Sequence, residues 1–308
     1  MISLNQFSKN KYYSQYGEDG IVEEILKRLK NHTDLDGWCS EFGAWDGVHY
    51  SNTCNLIRNQ SYKAVLIEGN KLKASLLSKN FPSNDVFKIC RHVSFDGDDS
   101  LDSIYSETPI PYNFDFLSID VDGVDYHIFE NLNKYKPKTI CIEFNPAIPN
   151  SVDYVQPKDM RIKHGNSAKA LIRLAHQKGY VLAATTHCNL IFVDKDLSSL
   201  VIENEPTLDF INPNGRSETI IFSGYDGSIL SNKEYIFLGW HNIPVPIAER
   251  LQFLPKFMRK FKGDYGFLRN IFLLFYVGLL IPKQIYKHQK EALSVLKREF
   301  RQLFKKDL

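Results

Sequence analysis

A chain of 308 residues with 43% hydrophobic and 24% charged content can bury a full core, and no low-complexity run interrupts it, which excludes a disordered or fibrous protein. The formal charge of +2 hides an asymmetry: residues 241–308 carry 14 of the 38 Lys and Arg and 5 of the 36 Asp and Glu, or +9, which leaves −7 for the rest. The five cysteines, Cys39, Cys54, Cys90, Cys141 and Cys188, form no C-x-x-C pair, so they exclude a disulfide framework or zinc knuckle and read as buried, reduced thiols.

The first residues, MISLNQF, lack the basic start and continuous apolar core of an export signal, so a cytoplasmic location is expected. The first periodic segment is residues 20–30. Ile21, Val22, Ile25, Leu26 and Leu29 fall on one face, and Glu18 and Asp19 stand near the positive end of the dipole. Short apolar runs then alternate with amphipathic stretches. Strands are predicted at residues 38–42, 64–68, 86–90, 114–120, 139–144, 180–186 and 190–194, the pattern of a parallel sheet covered by helices on both faces. A further helix at 168–177 follows the turn His164-Gly165-Asn166 and stops before Gly179, a residue suited to the left-handed C′ position. Only His187, Cys188 and Asn189 separate the last two strands, too few for a parallel crossover, so these strands form an antiparallel hairpin. The expected architecture is a doubly wound α/β domain over residues 1–240, its seven-stranded, mostly parallel sheet ending in that hairpin, followed by a basic helical tail over residues 241–308.

Polar residues gather where these strands end, which is where open α/β sheets bind ligands. The first strand runs into Glu41-Phe42-Gly43-Ala44-Trp45-Asp46-Gly47, whose glycines permit a tight turn and close approach of a ligand. The second ends at Glu68, 27 residues after Glu41, placed to accept hydrogen bonds from both hydroxyls of a ribose. Asp96, beyond the third strand, is placed either to face an adenine amino group or to cap the next helix. The fourth strand leads into Asp120, Asp122 and Asp125, three carboxylates within six residues that need a cation, a cationic ligand or shared protons to offset their repulsion. Asp120-Val-Asp122-Gly resembles the start of a calcium loop, but Asn131 stands where that loop needs a bidentate Glu. The fifth strand adds Glu143 and Asn145, expected to share a face with Asp120 and Asp122 and to make an oxygen-rich pocket. Such a pocket suits either Mg²⁺, through Asp122 and Glu143, or removal of a proton from a substrate hydroxyl. His127 is expected to pack on the following helix, with a direct role as the alternative.

The strings SQYGEDG at 14–20, EFGAWDGVHYSNT at 41–53, Leu66 to Gly69, LSIDVDGVDY at 117–126 and IEFNPAIPN at 142–150 together resemble the FkbM-type branch of class I methyltransferases, over residues 12–195. The resemblance implies a Rossmann-like seven-stranded sheet, S-adenosylmethionine as methyl donor, and O-methylation, frequently of sugars or secondary metabolites. By position it implies Glu41, Gly43 and Gly47 around the methionine end of the donor, Glu68 at its ribose, and Asp120 near the transferred methyl. This chain reads Asp-Val-Asp-Gly where many relatives read Asp-x-Glu-Gly, which leaves metal dependence and the base open. Asp122 with Glu143, supported by Asn145, is the expected activating group, acting on a small-molecule or glycan hydroxyl. A non-catalytic nucleoside-binding component of a glycan-assembly complex is the alternative.

In the tail, residues 271–281 are 11 uninterrupted apolar residues, short of the roughly 20 that span a bilayer. Lys256, Arg259, Lys260 and Lys262 precede them, and Lys283, Lys287, Lys290, Lys297, Arg298 and Arg301 follow. An in-plane anchor on the anionic inner face of a membrane is the preferred reading. Packing onto the catalytic domain or a homodimer partner is the alternative, and nucleic-acid binding is not expected.

Overall fold

The computed structural model describes residues 3–213, 218–238, 241–261 and 264. The chain divides into two compact units, Met1–Glu218 and Thr219–Leu308. A boundary at residue 240 falls inside a hairpin instead, because Ile236–Leu238 pairs antiparallel with Ile243–Val245.

The first unit is built on seven strands: β1 (Trp38–Phe42), β2 (Lys63–Ile67), β3 (Val86–Ile89), β4 (Phe116–Ile119), β5 (Thr139–Glu143), β6 (Tyr180–Thr185) and β7 (Asn189–Asp194). Their order is β3-β2-β1-β4-β5-β7-β6, with β7 antiparallel to both neighbours and every other pair parallel. This is a doubly wound, Rossmann-like sheet that ends in an antiparallel hairpin. Helices α1 (Glu18–Lys30), α2 (Cys54–Gln60) and α3 (Lys71–Asn80) cover one face, and α4 (Leu101–Ser106), α5 (Asp125–Asn131) and α6 (Ala168–Gln177) cover the other. In β2, Val65 and Ile67 join the core beneath α4–α6, while Ala64 and Leu66 join the core beneath α1–α3. A strand buried on both sides has no polar face to show, hence the continuous apolar run.

Helix α1 starts two residues earlier than its apolar period. Gly17 takes a left-handed φ of +86°, and a Cβ there would collide with the Ser8 carbonyl. The residues before it therefore fold back over the helix, where Asp19 accepts the backbone N–H groups of Tyr12, Tyr13 and Ser14 at 3.1, 2.6 and 3.0 Å. At the other end of the domain, Ser167 caps α6 by accepting Ala170 N–H at 3.2 Å, and Gly179 follows it at φ +80°, as its position predicts. All five cysteines are free thiols, and four are buried. Cys90 departs from the expectation: β3 is the sheet edge and ends at Ile89, which leaves the next side chain exposed.

The second unit contains two hairpins, Ile221–Ser223 with Ile229–Ser231 and Ile236–Leu238 with Ile243–Val245, then a short helix at Ile247–Leu251. Among the described residues no helix is long and apolar enough to cross a membrane. The apolar segment 271–281 and the basic residues after it lie outside the described residues.

One ion triad, with Lys138 and Asp115 buried and Asp36 exposed, ties the strands together at their N-terminal ends. Lys138 Nζ lies 2.8 Å from Asp36 and 2.9 Å from Asp115, and it donates to the Asn113 carbonyl at 2.7 Å. Asp115, fully buried, also accepts the Asp36 and Gly37 N–H groups at 3.1 and 2.8 Å. Burial pulls the Lys138 pKa down, but the two carboxylates outweigh it and hold the pKa above its usual value. Asp115→Ala is expected to cost about 3 kcal/mol, because it strands two backbone donors and half the counter-charge of a buried ammonium. Urea unfolding measures this as a lower midpoint at unchanged slope.

Candidate functional site

Strand order reverses between β1 and β4, and their C-terminal ends flank the crevice where open α/β sheets take ligands. The chain leaves β1 through Gly43, at φ +72°, where a Cβ would collide with the Asp120 carbonyl oxygen. Only glycine permits the loop after β1 to lie against the end of β4 in this way. Gly47, at φ +74°, closes the bend against Phe81 and Leu77. Between them Trp45 is left-handed at φ +49°, and its N–H donates to Glu68 Oε2 at 2.9 Å. The other Glu68 oxygen accepts Asn70 N–H at 2.7 Å, so this carboxylate joins the bend to the end of β2. Each oxygen keeps acceptor capacity for a further donor.

Glu41 is buried inside the rim. Its carboxylate accepts Ser51 Oγ at 2.6 Å, Asn52 N–H at 2.9 Å and Thr53 Oγ1 at 2.7 Å. Burial pushes its pKa up, and those hydrogen bonds pull it part of the way back. Glu41 thereby fixes the approach to α2. The polar run Ser51-Asn52-Thr53 ahead of the helix was the available sign of this role.

The loop after β4 is organised by Asp125, at the start of α5. Its carboxylate accepts Val121 N–H at 2.9 Å and Gly123 N–H at 2.8 Å. This holds Asp122 in a left-handed conformation, φ +56°, with its side chain exposed at the rim. Oxygens of Asp120, Asp122 and Glu143 then lie within 4.8 Å of one another. Burial, then the charges of Asp125, Asp122 and Glu41, raise the Asp120 pKa, and Glu143 lies within hydrogen-bonding reach of it. Burial and the charges of Asp120, Asp125 and Asp122 raise Glu143 further. Burial and the neighbouring negative charges therefore favour the protonated form of both carboxyls.

Asn145 is not part of this trio. Its Nδ2 donates to the His164 carbonyl at 2.8 Å and its Oδ1 accepts Ala147 N–H at 2.9 Å, so its amide shapes the loop after β5. Asp96 makes no side-chain cap. Ser100 caps α4, accepting Ser103 N–H at 3.4 Å, and Asp96 stays exposed four residues earlier. His127 is buried on α5 with Nε2 at 2.9 Å from the Gln156 carbonyl, packed edge-on to Tyr126 and Phe95.

A hollow of 730 Å³ lies away from this rim, lined by Phe7, Gly20 and Leu26 among others, and includes none of the residues above. The carboxylates converge at the strand ends and not at that groove.

No family model matches the sequence, and no curated protein matches it. Among solved structures it is similar to the CMeT domain of the citrinin polyketide synthase, at 13% identity and a TM-score of 0.37, over 59% of this chain and 54% of that one. It is also similar to a SAM dependent methyltransferase from Aquifex aeolicus, at 11% identity and a TM-score of 0.33, over 63% of this chain and 98% of that one. A third is the glycopeptide N-methyltransferase MtfA complexed with (S)-adenosyl-L-methionine, at 9% identity and a TM-score of 0.34, over 59% and 94%.

The raised carboxyls carry a sign for stability. The folded pair binds protons more tightly than the unfolded chain, whose carboxyls titrate near about pH 4.3, so unfolding free energy falls as pH rises above that value. With EDTA present to keep cations away, wild-type stability is expected to decline from about pH 5 toward about pH 9, and Glu143→Gln is expected to flatten that decline. Urea titrations at each pH measure it. Parallel curves for the two proteins would show that the fold does not favour the protonated form of Glu143.

Proposed function

We propose that this chain is an S-adenosylmethionine-dependent O-methyltransferase that acts on a hydroxyl of a carbohydrate or lipid-linked glycan at the cytoplasmic face of a membrane. The observation that carries the reading is the meeting of four strand ends, those of β1, β2, β4 and β5, about the β1/β4 crevice. The glycine bend lies against Asp120, Glu68 is tied back to that bend, and the Asp120–Glu143 pair stands beside both.

S-adenosylmethionine would supply an electrophilic methyl on a sulfonium, and the residues present fit it. Glu68 has acceptor capacity left for ribose hydroxyls, the Gly43–Gly47 bend exposes backbone to the methionine end, and Asp120 offers negative charge to the sulfonium. A positive charge held near Asp120 favours the ionised form of both carboxyls. That leaves a carboxylate of raised basicity, on Glu143 with Asp122 beside it, to take the proton of an acceptor hydroxyl held in line with the donor. The same three side chains offer oxygens of the kind Mg²⁺ takes. A sulfonium beside Asp120 would offset their repulsion in place of an ion, which favours metal-free activation.

Calorimetry on the full chain is expected to detect S-adenosylmethionine binding, weakened at least about tenfold by Glu68→Ala, or about 1.4 kcal/mol. A wild-type chain that binds no S-adenosylmethionine would end the proposal. Asp122→Asn is expected to lower methyl transfer into a membrane glycolipid extract about 100-fold while the donor's affinity stays within about twofold. EDTA is expected to leave that transfer unchanged; its abolition, restored by Mg²⁺, would assign the trio to a metal. Removal of residues 244–308 is expected to move the chain from the membrane to the soluble fraction of a cell lysate, and equal partitioning of the two forms would refute the membrane location.

A further inference from the structure

The string SQYGEDG at residues 14–20 supplies no group to the cluster just described, yet its side chains are held against that cluster's outer edge. Glu18 is fully buried. Its carboxylate accepts Tyr16 N–H at 2.8 Å, Asn189 Nδ2 at 3.1 Å and the Thr186 hydroxyl. Asn189 is the ladder partner of Glu143, and Phe144 N–H donates to the Cys188 carbonyl at 2.7 Å. The segment before α1, the β6–β7 turn and the end of β5 are therefore one connected piece of rim.

Three rings project from that piece. The Tyr16 ring lies on His187 with centroids 5.0 Å apart, and Ser14 forms a β-bridge with Tyr50 in the loop after β1. Tyr16 is 40% exposed, Tyr50 59%, and His187 is exposed as well. Burial first, then the charges of Cys188, Glu18, Tyr50 and Glu143, raise the Tyr16 phenol. The carboxyls around them are Glu18, Glu143, Asp120 and Asp122, while Lys11 holds its ammonium on the Gln15 carbonyl at 2.9 Å. Lys163, which reaches this rim, keeps its ammonium on the Val121 carbonyl at 2.9 Å.

We infer that Tyr16, Tyr50 and His187 wall an acceptor subsite beside Glu143, and that this subsite takes a neutral, hydroxylated ring and rejects an anionic one. Ring faces supply apolar contact to the C–H face of such a ligand, while the phenol and imidazole edges meet its hydroxyls. Negative charge on the acceptor would be repelled by the surrounding carboxylates. Glu18 is a positioning residue here, since it touches the ligand only through Tyr16. The inference rests on the methyl-transfer reading for the role of Glu143, and its test is separable from that reading.

The test is saturation-transfer NMR on the full chain in the presence of S-adenosylhomocysteine, with methyl β-D-glucopyranoside as the neutral probe and glucose 6-phosphate as the anionic one. The wild-type chain is expected to transfer saturation to the ring-face protons of the glucopyranoside, and at least about threefold less to the phosphate ester. Tyr16→Ala combined with Tyr50→Ala is expected to reduce the glucopyranoside signal at least about threefold, while Tyr16→Phe combined with Tyr50→Phe retains it. Calorimetric affinity for S-adenosylhomocysteine, unchanged in all three proteins, shows that the variants fold. Equal signals from the two probes, an undiminished signal in the alanine variant, or none from the wild type overturns the subsite. Absent S-adenosylhomocysteine binding overturns the methyl-transfer reading instead.

Discussion

The contact between the backbone at Gly43 and the Asp120 carbonyl governs the rest of the rim. Because no side chain fits between them, the loop after β1 is drawn against the end of β4 and its following residues must turn sharply. The turn is completed by Trp45 in a left-handed conformation, a strain tolerated because its N–H is held by Glu68. On the other side of the contact, Asp122 is left-handed too and is held by the bonds Asp125 makes to Val121 and Gly123. Two strained residues thus face each other across one close approach, each fixed by a carboxylate that belongs to neighbouring structure.

That arrangement sorts the acids of the sheet edge into two groups. Glu41, Glu68 and Asp125 accept bonds from backbone N–H groups or hydroxyls that belong to loops. They act as anchors whose charge is balanced locally. Asp120 and Glu143 face each other instead, and burial together with neighbouring negative charge favours their protonated forms. An acid whose nearest partner is another acid changes state when a cation arrives. Chemistry is therefore expected from the second group, and the first sets its geometry.

The strands were legible because burial on both faces writes them as unbroken apolar runs, and the hairpin was legible because three residues cannot make a crossover. The acids at strand ends were legible by position as well, since a parallel sheet brings all its C-terminal ends to one edge. Their division of labour was not. Whether Asn145 turns toward Glu143 or toward His164 depends on a loop from residue 164 that arrives from elsewhere in the chain. Asp96 and Ser100 are both short polar residues ahead of a helix, and local pattern does not choose between them; the observed start of α4 does. Cys90 extends an apolar run, and only the position of β3 at the sheet edge exposes it. Glu18 and Asp19 read as helix-dipole residues because their partners at Tyr12–Ser14 and Asn189 lie outside the helix whose period drew attention to them.

The reversal of β7 explains why a site at the β1/β4 crevice has a wall on its far side. Since β7 runs against β5, the residue paired with Glu143 is the first of β7, Asn189, and the turn that precedes it comes up at the same rim as the carboxylates. A parallel strand in that place would present its last residue there and send its entering loop to the opposite edge, away from the chemistry. The short hairpin thus carries His187 to the rim, and Asn189 and Thr186 give Glu18 the partners that hold Tyr16 beside it. Burying Glu18 is tolerable only because all three of those donors converge on it, so this corner is as tightly specified as the glycine bend across the crevice.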